Sequence, residues 1–451
     1  MPILTERKHS RPAWRGPKGR AAVAAVACVA GLVALAACGG GSGSGGSSSG
    51  GNVTLTVWQN GNLEDTGFGF MNQVAKNFEK AHPGVTVQIV AKPQDNYFAL
   101  LKTALISHQG PDIADVYAGS YLTPLTPYFL NLNQYISAGV RNSISGIAYY
   151  SQDGDSSKAT YAIPPEEQFY NMWYNKALFA KAGISSPPTD FAQMAADCKV
   201  FAAKGITAFA DGSPTFVTPG AGAVQDWSYL AGAVYSQKQW NGILDGSIPY
   251  NSQPLVKEIQ QWAGLYKAGC TSKAVTTQNS DDQFTSGKVA MVMDFNGLYP
   301  LYHKSLGSKL GVMLPPWSAS PQHMMVELPG AGYAVAKASP NAKLASEFVA
   351  YAVTRQSQQI EAASGGLPVV ADVPAVGVPS QLLAMARSGK YQLYPMFDNY
   401  MQPDVVAQLN SQLPQAFIGQ ESAQAALGNL EKAFTSLPAT ERKVDYHLGG
   451  G

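Results

Sequence analysis

From residue 53 onward, apolar and polar positions follow two alternating periods. Val53-Thr54-Leu55-Thr56-Val57-Trp58 is a run of β-formers and predicts a strand. Phe70, Val74 and Phe78 then recur at helical spacing until Pro83-Gly84 stops the helix. Val85, Val87 and Ile89 alternate, which predicts a second strand. Residues 96–109 read as a second helix with Phe98, Leu101 and Leu105 on one face, broken by Gly110-Pro111. Asp112-Ile113-Ala114-Asp115-Val116-Tyr117 predicts a third strand. Strand, helix, strand, helix, strand is the order of a doubly wound parallel sheet, an α/β fold. Ligands of such sheets bind beyond the carboxyl ends of the strands. Those ends carry Trp58-Gln59-Asn60 and Asp115 to Tyr117.

Further along, Phe191, Met194, Ala195, Cys198, Phe201 and Ala202 form one face of a helix begun at Thr189-Asp190. Ser339 is placed to cap another helix, with Pro340 at its first position and Leu344, Ala345, Phe348, Val349 and Ala352 as its buried stripe. Trp173, Trp240 and Trp262 sit in apolar stripes and read as core. The segments from Gln402 onward read as helical scaffold.

The N-terminus has a different character. Six basic residues (Arg7, Lys8, Arg11, Arg15, Lys18, Arg20) precede an uncharged run from Ala21 to Ala37. That run is shorter than the ~20 apolar residues that span a bilayer. It fits the apolar core of an export signal. It ends in Leu35-Ala36-Ala37-Cys38, and small residues before a Cys resemble the lipobox of bacterial lipoproteins. Residues 1–37 are therefore expected to be a lipoprotein signal peptide, with Cys38 lipidated and residues 38–52 a Gly/Ser tether. A tract of this length behaves as a coil with ends about 20 Å apart. Its G-x-G-x-x-G string, Gly41 to Gly46, has no strand before it and no helix after it, so it is not a nucleotide motif.

The 31 basic and 30 acidic residues give a formal charge of +1 for the whole chain. Without the signal, 25 basic and 29 acidic residues remain, a charge of −4. That mild acidity without basic clusters excludes nucleic acid as the expected partner. The six His residues show no H-E-x-x-H or other metal-ligand spacing, so neither metal nor cofactor is expected. Cys198 and Cys270 remain besides the N-terminal pair, and two readings stand for them, a disulfide or two buried thiols.

Five stretches in order carry a specific resemblance. They are the first strand with the helix ending Phe78-Glu79-Lys80-Ala81-His82-Pro83-Gly84; Gly110-Pro111-Asp112-Ile113; Tyr161-Ala162-Ile163-Pro164 leading to Tyr174-Asn175-Lys176 and Pro187-Pro188-Thr189; Phe284-Thr285-Ser286-Gly287-Lys288 through Asn296-Gly297; and Ser339-Pro340-Asn341. The chain resembles the family 1 extracellular solute-binding proteins, the maltose-binding-protein-like receptors of ABC importers. The resemblance implies a periplasmic-binding-protein type II fold, with two mostly parallel α/β lobes joined by three crossovers. The first lobe would hold residues 53–162 and 313–341, and the second 163–312 and 342–451. It also implies a carbohydrate held in the interlobe cleft by hinge closure, membrane permease subunits as partners, a monomeric receptor, and a lipid-anchored position on the outer face of the cytoplasmic membrane.

Sugars present flat C–H faces and a ring of hydroxyls, so they call for aromatic platforms and planar hydrogen-bonding groups. Trp58, Gln59 and Asn60 at the first strand end are candidates, with core packing the other reading for Trp58. Asp115 could bind hydroxyls or cap, and Tyr117 stands where the family places sugar contacts. Glu166, Glu167 and Gln168 follow the first crossover, where relatives carry a ligand-binding acid, and which of them faces the cleft is open. Asp226 and Trp227 are ligand candidates in a loop or, alternatively, part of a helix start. Asp294, Tyr299 and Tyr400 are candidates by their offset from family motifs. Two other classes compete, a receptor for a peptide or amino compound and a secreted carbohydrate-active enzyme. Adjacent Glu166 and Glu167 point to opposite faces of an extended segment, so they are not a hydrolase pair by themselves. Beyond the Gly/Ser tract there is no G-x-S-x-G elbow and no Walker A loop.

Overall fold

The alternation of strand and helix builds two sheets, each with a core of its own. The computed structural model describes residues 52–61, 66–93, 96–211, 223–272, 279–328 and 332–442. The expected signal peptide, Cys38 and nearly all of the expected Gly/Ser tether lie outside the described residues. In chain order the strands are β1 (Val53–Asn60), β2 (Val85–Lys92), β3 (Ile113–Val116), β4 (Ala162–Ile163), β5 (Gln168–Asn175), β6 (Thr207–Asp211), β7 (Val289–Phe295), β8 (Leu310–Met313), β9 (Met324–Leu328), β10 (Gly332–Val335) and β11 (Gln392–Pro395).

The first sheet runs β2-β1-β3-β10-β4. β1 is parallel to both β2 and β3, with Val53 opposite Val85 and Val57 opposite Ile113. The helix Thr66–Ala81 lays Phe70, Met71, Val74 and Phe78 against Leu55 and Val57. The helix Tyr97–Ile106 buries Leu101 and Leu105 as its periodicity predicts, and adds Tyr97 and Ala104. β10 comes back from the other lobe and runs antiparallel to β3 and β4.

The second sheet runs β11-β9-β5-β7-β6, with β8 also paired to β5. It is more mixed than expected. β5 is antiparallel to β7, β8 and β9, whereas β6–β7 and β9–β11 are parallel. The reason is topological: β5 enters by a crossover, and not through a right-handed β-helix-β unit on its own sheet. Trp173, Trp240 and Trp262 are fully buried here, as their stripes predict. The helix Phe191–Ala203 starts where predicted, with the Asp190 carboxylate accepting from the Gln193 amide at 2.9 Å. Cys198 on its buried face is bonded to Cys270, which resolves the two cysteine readings in favour of the disulfide.

Two expectations are corrected. The second crossover falls after β9, so residues 313–328 belong to the second sheet and not to the first lobe. The third falls later than 341, because the helix Ala342–Ala352 packs Ala345, Phe348 and Val349 on Phe70, Val74 and Phe78 of the first lobe. The chain crosses back around Leu367 and Val369, where Leu367 packs with Phe169 and Met325 of the second lobe while Val369 still packs in the first, before the helix Ser380–Arg387 adds Leu382 and Leu383 to the second-lobe cluster. Sequence patterns mark element ends, but which sheet a buried helix covers is decided by its apolar partners. Ser339 does not cap the helix itself. Its hydroxyl donates to Asp112 at 2.5 Å and accepts from the Asn341 amide at 3.0 Å, fixing the preceding turn.

Candidate functional site

The carboxyl ends of β1 and β3 lie side by side because Trp58 pairs with Ala114 in the parallel ladder. Asp115 is buried there and ties the two ends together. Its Oδ2 accepts from Gln59 Nε2 at 2.8 Å and from the Asn60 amide at 3.1 Å. The Tyr333 hydroxyl of β10 donates to Gln59 Oε1. Gln59 is thus used on both sides, while the buried side-chain amide of Asn60 has no hydrogen-bond partner among the described residues. A buried amide without a partner costs on the order of 1–3 kcal/mol, which a ligand hydroxyl would recover. Trp58 is half-buried, with Lys92 Nζ 4.4 Å from its ring centre.

Beyond β3 the chain is aromatic. Tyr117, Tyr121 and Phe98 pack as a three-ring group, with centroids 4.5–5.6 Å apart. Tyr121 faces the second lobe: burial, and then the Asp398 carboxyl, raise its phenol well above the usual range. Asp398 lies in the short turn Phe397–Tyr400, just after β11. Burial pushes its carboxyl up to about 7, against the backbone amides of Asp398 and Asn399 that donate to it. Asp398 Oδ1 and Asn399 Nδ2 are buried without partners among the described residues. From the first lobe, Ser120 donates to the Asn399 carbonyl.

Beside this seam lies a cavity of about 290 Å³ whose lining includes Thr123, Tyr149, Tyr150, Gln152, Tyr161 and Tyr400. Tyr400 is its contribution from the second lobe, and the other residues come from the first. Tyr149 donates its hydroxyl to Glu327 Oε2 at 2.9 Å, so the cavity wall reaches the end of β9. Burial and then the nearby Glu167 raise the Glu327 carboxyl to about 8, although the Tyr149 hydrogen bond opposes this. Glu167 is raised to about 7 by burial, opposed by Arg387 and by a hydrogen bond from Ser145. The Arg387 guanidinium stands 3.9 Å from its Oε2.

The three residues after the first crossover turn into the hinge. Gln168, the first residue of β5, donates back to Glu166 in the bend before it. Glu166 in turn meets Glu361, whose buried carboxyl is raised well above the usual carboxylate range, first by burial and then by that neighbour. The Glu167 amide donates to the Leu367 carbonyl at 2.8 Å, joining the first crossover to the third. Gln358 extends the lattice, donating to Pro165 O at 2.7 Å and accepting from the Val369 amide at 2.8 Å.

Several predicted contacts go elsewhere. Trp227 is 0% exposed and packs on Tyr250 and Phe397, because its loop is the first turn of the helix Ala223–Val234. Asp226 in that turn accepts the Trp317 indole N–H at 2.5 Å, inside the same core. Tyr299 is 8% exposed, stacked between Trp173 and His303. The flanking Gly365 and Gly377 leave room for its side chain: a Cβ at residue 365 would come within 2.4 Å of the ring, and one at residue 377 within 2.5 Å of the hydroxyl. Asp294 is buried, pairs across the ladder with Asn171 and accepts from the Phe295 amide at 2.8 Å. Gln59, Asn60, Asp115 and Tyr117 do come together at the strand ends, and Tyr400 reaches the cavity.

Sequence reasoning passed over Tyr121, Tyr149, Tyr150, Glu327, Asp398 and Asn399. Some of these carried a signal. Glu327 is a lone acid in the apolar strand Met324-Met325-Val326-Glu327-Leu328, and Asp398-Asn399 directly precede Tyr400. Tyr149-Tyr150 is an aromatic doublet between Gly146 and Gly154. No group of three His, Cys, Asp or Glu side chains suited to a metal ion occurs among the described residues.

With this geometry, residues 73–386 match the family described as bacterial extracellular solute-binding protein. The multiple sugar-binding protein of Streptococcus mutans is 23% identical over 126 residues, 26% of this chain and 27% of that protein. The chain spans from about a quarter to about half of the length of the first curated relatives it matches. Among solved structures, one from work on xylan utilisation by Caldanaerobius polysaccharolyticus superimposes with a TM-score of 0.73 at 19% identity, covering 84% of this chain and 99% of that one. RafE from Streptococcus pneumoniae, without ligand, gives a TM-score of 0.68 at 20% identity over 86% of this chain and 98% of that one. At such identities the likeness is one of fold.

Proposed function

The chain belongs to the bacterial extracellular solute-binding proteins, and on that premise we propose that it is the sugar-binding receptor of an ABC importer. The observation that carries this reading is the tyrosine-lined cavity of about 290 Å³ at the seam of the two lobes. Tyrosine rings offer flat apolar faces with a hydroxyl at the tip, which suits a sugar ring better than an anionic or wholly apolar solute. The buried polar groups at the strand ends and in the turn before Tyr400 include carboxyls and amides (Asp115, Asn60, Asp398, Asn399), which suit a ligand rich in hydroxyls. The size of the cavity lies near the ~300 Å³ lower end for small-molecule sites, which favours a short saccharide.

The receptor captures the sugar between the lobes and hands it to permease subunits, without chemical turnover. Closure is driven by contacts that the sugar makes with both lobes only when they meet. Cys38, at the end of the lipobox-like stretch, carries the lipid, and the Gly/Ser tract leaves the lobes free to reorient outside the membrane.

A thermal-shift screen against mono- and oligosaccharides, amino acids and short peptides tests this. A ligand at a hundred times its dissociation constant stabilises by about 2.7 kcal/mol. A shift with one group of sugars, and an unchanged sugar after long incubation, is the expected result. Consumption of the sugar would replace the receptor with an enzyme, and a response to peptides alone would keep the fold and overturn the substrate.

A further inference from the structure

Across the seam the two lobes meet through backbone. The turn after β3 places Gly119 at φ +66°, a conformation that glycine adopts without steric cost. Ser120 beside it donates twice to one acceptor, the Asn399 carbonyl oxygen, from its amide at 2.7 Å and from its hydroxyl at 2.8 Å. A Cβ on Gly119 would sit 2.2 Å from that same oxygen and 3.1 Å from the Tyr400 ring. Asn399 is itself held in the second lobe. The Met396 amide donates to Glu327 O at 2.8 Å, and the Phe397 amide to Ser228 Oγ at 2.9 Å. The contact therefore joins two anchored backbones, and the close approach it requires leaves no room for a side chain at residue 119.

We propose that the Gly119–Ser120 turn and the Asn399 carbonyl form a clasp that joins the lobes directly, with Gly119 and Ser120 as positioning residues for closure over ligand. The role in closure rests on the receptor reading above, whereas the clasp is a property of the chain without ligand. If ligand contacts alone held the lobes, the shut state would have no support before the sugar arrived. A lobe-to-lobe hydrogen-bond pair raises the population of the shut state beforehand and reduces the free energy the ligand must supply. Gly119 and Tyr400 both line the tyrosine cavity, so the clasp forms one wall of it, and opening the clasp opens the cavity.

Amide hydrogen exchange on the ligand-free full-length chain, read by mass spectrometry, tests the clasp. The Ser120 amide should exchange about tenfold more slowly than a free turn amide. In Gly119→Ala, peptides covering residues 118–123 and 396–401 should exchange about tenfold faster, with β1 and β9 unchanged to show that both lobes remain folded. Ser120→Ala loosens the clasp without backbone strain and should give a smaller change in the same peptides. Asn399→Ala keeps the carbonyl and should give none. A Ser120 amide that exchanges freely in the parent, or a Gly119→Ala protein that matches the parent, overturns the clasp. For any sugar found to bind, Gly119→Ala should speed dissociation about tenfold and leave association nearly unchanged. Equal dissociation rates would remove the role in closure. Absence of any binding sugar would count against the receptor reading while the exchange result still decides the clasp.

Discussion

Glu327→Gln should stabilise the protein at alkaline pH and leave it nearly unchanged in acid. Glu327 sits at the end of β9, buried, with its Oε2 accepting from the Tyr149 hydroxyl. Its carboxyl is raised from 4.5 to about 8, first by burial and then by Glu167. A raised acid binds its proton more tightly in the folded chain than in the unfolded one. The folded state therefore holds more protons between the two values, and stability falls as pH climbs from about 4.5 to about 8. Each unit of difference is worth about 1.4 kcal/mol, so between about pH 5 and pH 8 Glu327 alone removes roughly 4 kcal/mol. Glutamine keeps an oxygen for Tyr149 and cannot ionise. Calorimetric melting of parent and variant near pH 5, 6.5 and 8 measures the effect. The parent should lose melting temperature steadily over that range, and the variant should lose distinctly less. Parallel curves for the two proteins would falsify the reasoning, because they would mean that Glu327 ionises in the fold as it does in water.

Further outcomes follow from the same geometry. Reducing the Cys198–Cys270 bond, or replacing both residues with Ala, frees a loop with a sequence separation of 72 and should cost about 4 kcal/mol, read as a fall in melting temperature on adding reductant. Trp317→Phe withdraws the indole donor from buried Asp226 and should cost about 1–3 kcal/mol in chemical unfolding, with sugar affinity unchanged in calorimetry. Tyr400→Ala removes the ring that the second lobe places in the cavity and should weaken sugar binding by about tenfold or more in the same calorimetric assay, whereas Tyr299→Phe should leave it unchanged. Cys38→Ser should move the protein from the membrane fraction to the culture supernatant. Retention in the membrane would reject the lipid anchor.

Local pattern was a good guide wherever the physics was local. The strand Val53–Asn60, the helix Tyr97–Ile106 and the Asp190 cap all stand where periodicity and capping chemistry put them, within a few residues. Asp115 and Gln59 could be foreseen as neighbours because parallel β1 and β3 bring equivalent ends together. Trp227 and Tyr299 show the opposite case. Both are aromatics near motifs that suggest a ligand, yet both are buried by elements far away in sequence, Tyr250 and Phe397 for one and the Gly365 and Gly377 turns for the other.

By itself, the sequence determined the α/β class, the succession of strands and helices, the buried tryptophan stripes and the family motifs, because these depend on spacing within a few turns of chain. Tertiary structure alone decided the rest. It assigned the helix Ala342–Ala352 to the first lobe, bonded Cys198 to Cys270, set Glu166 against Glu361, and set Gly119 against the Asn399 carbonyl. Each of these is a contact between segments separated by tens to hundreds of residues. Such contacts depend on which apolar faces find one another and on which buried polar groups then need partners, and neither is written in local spacing.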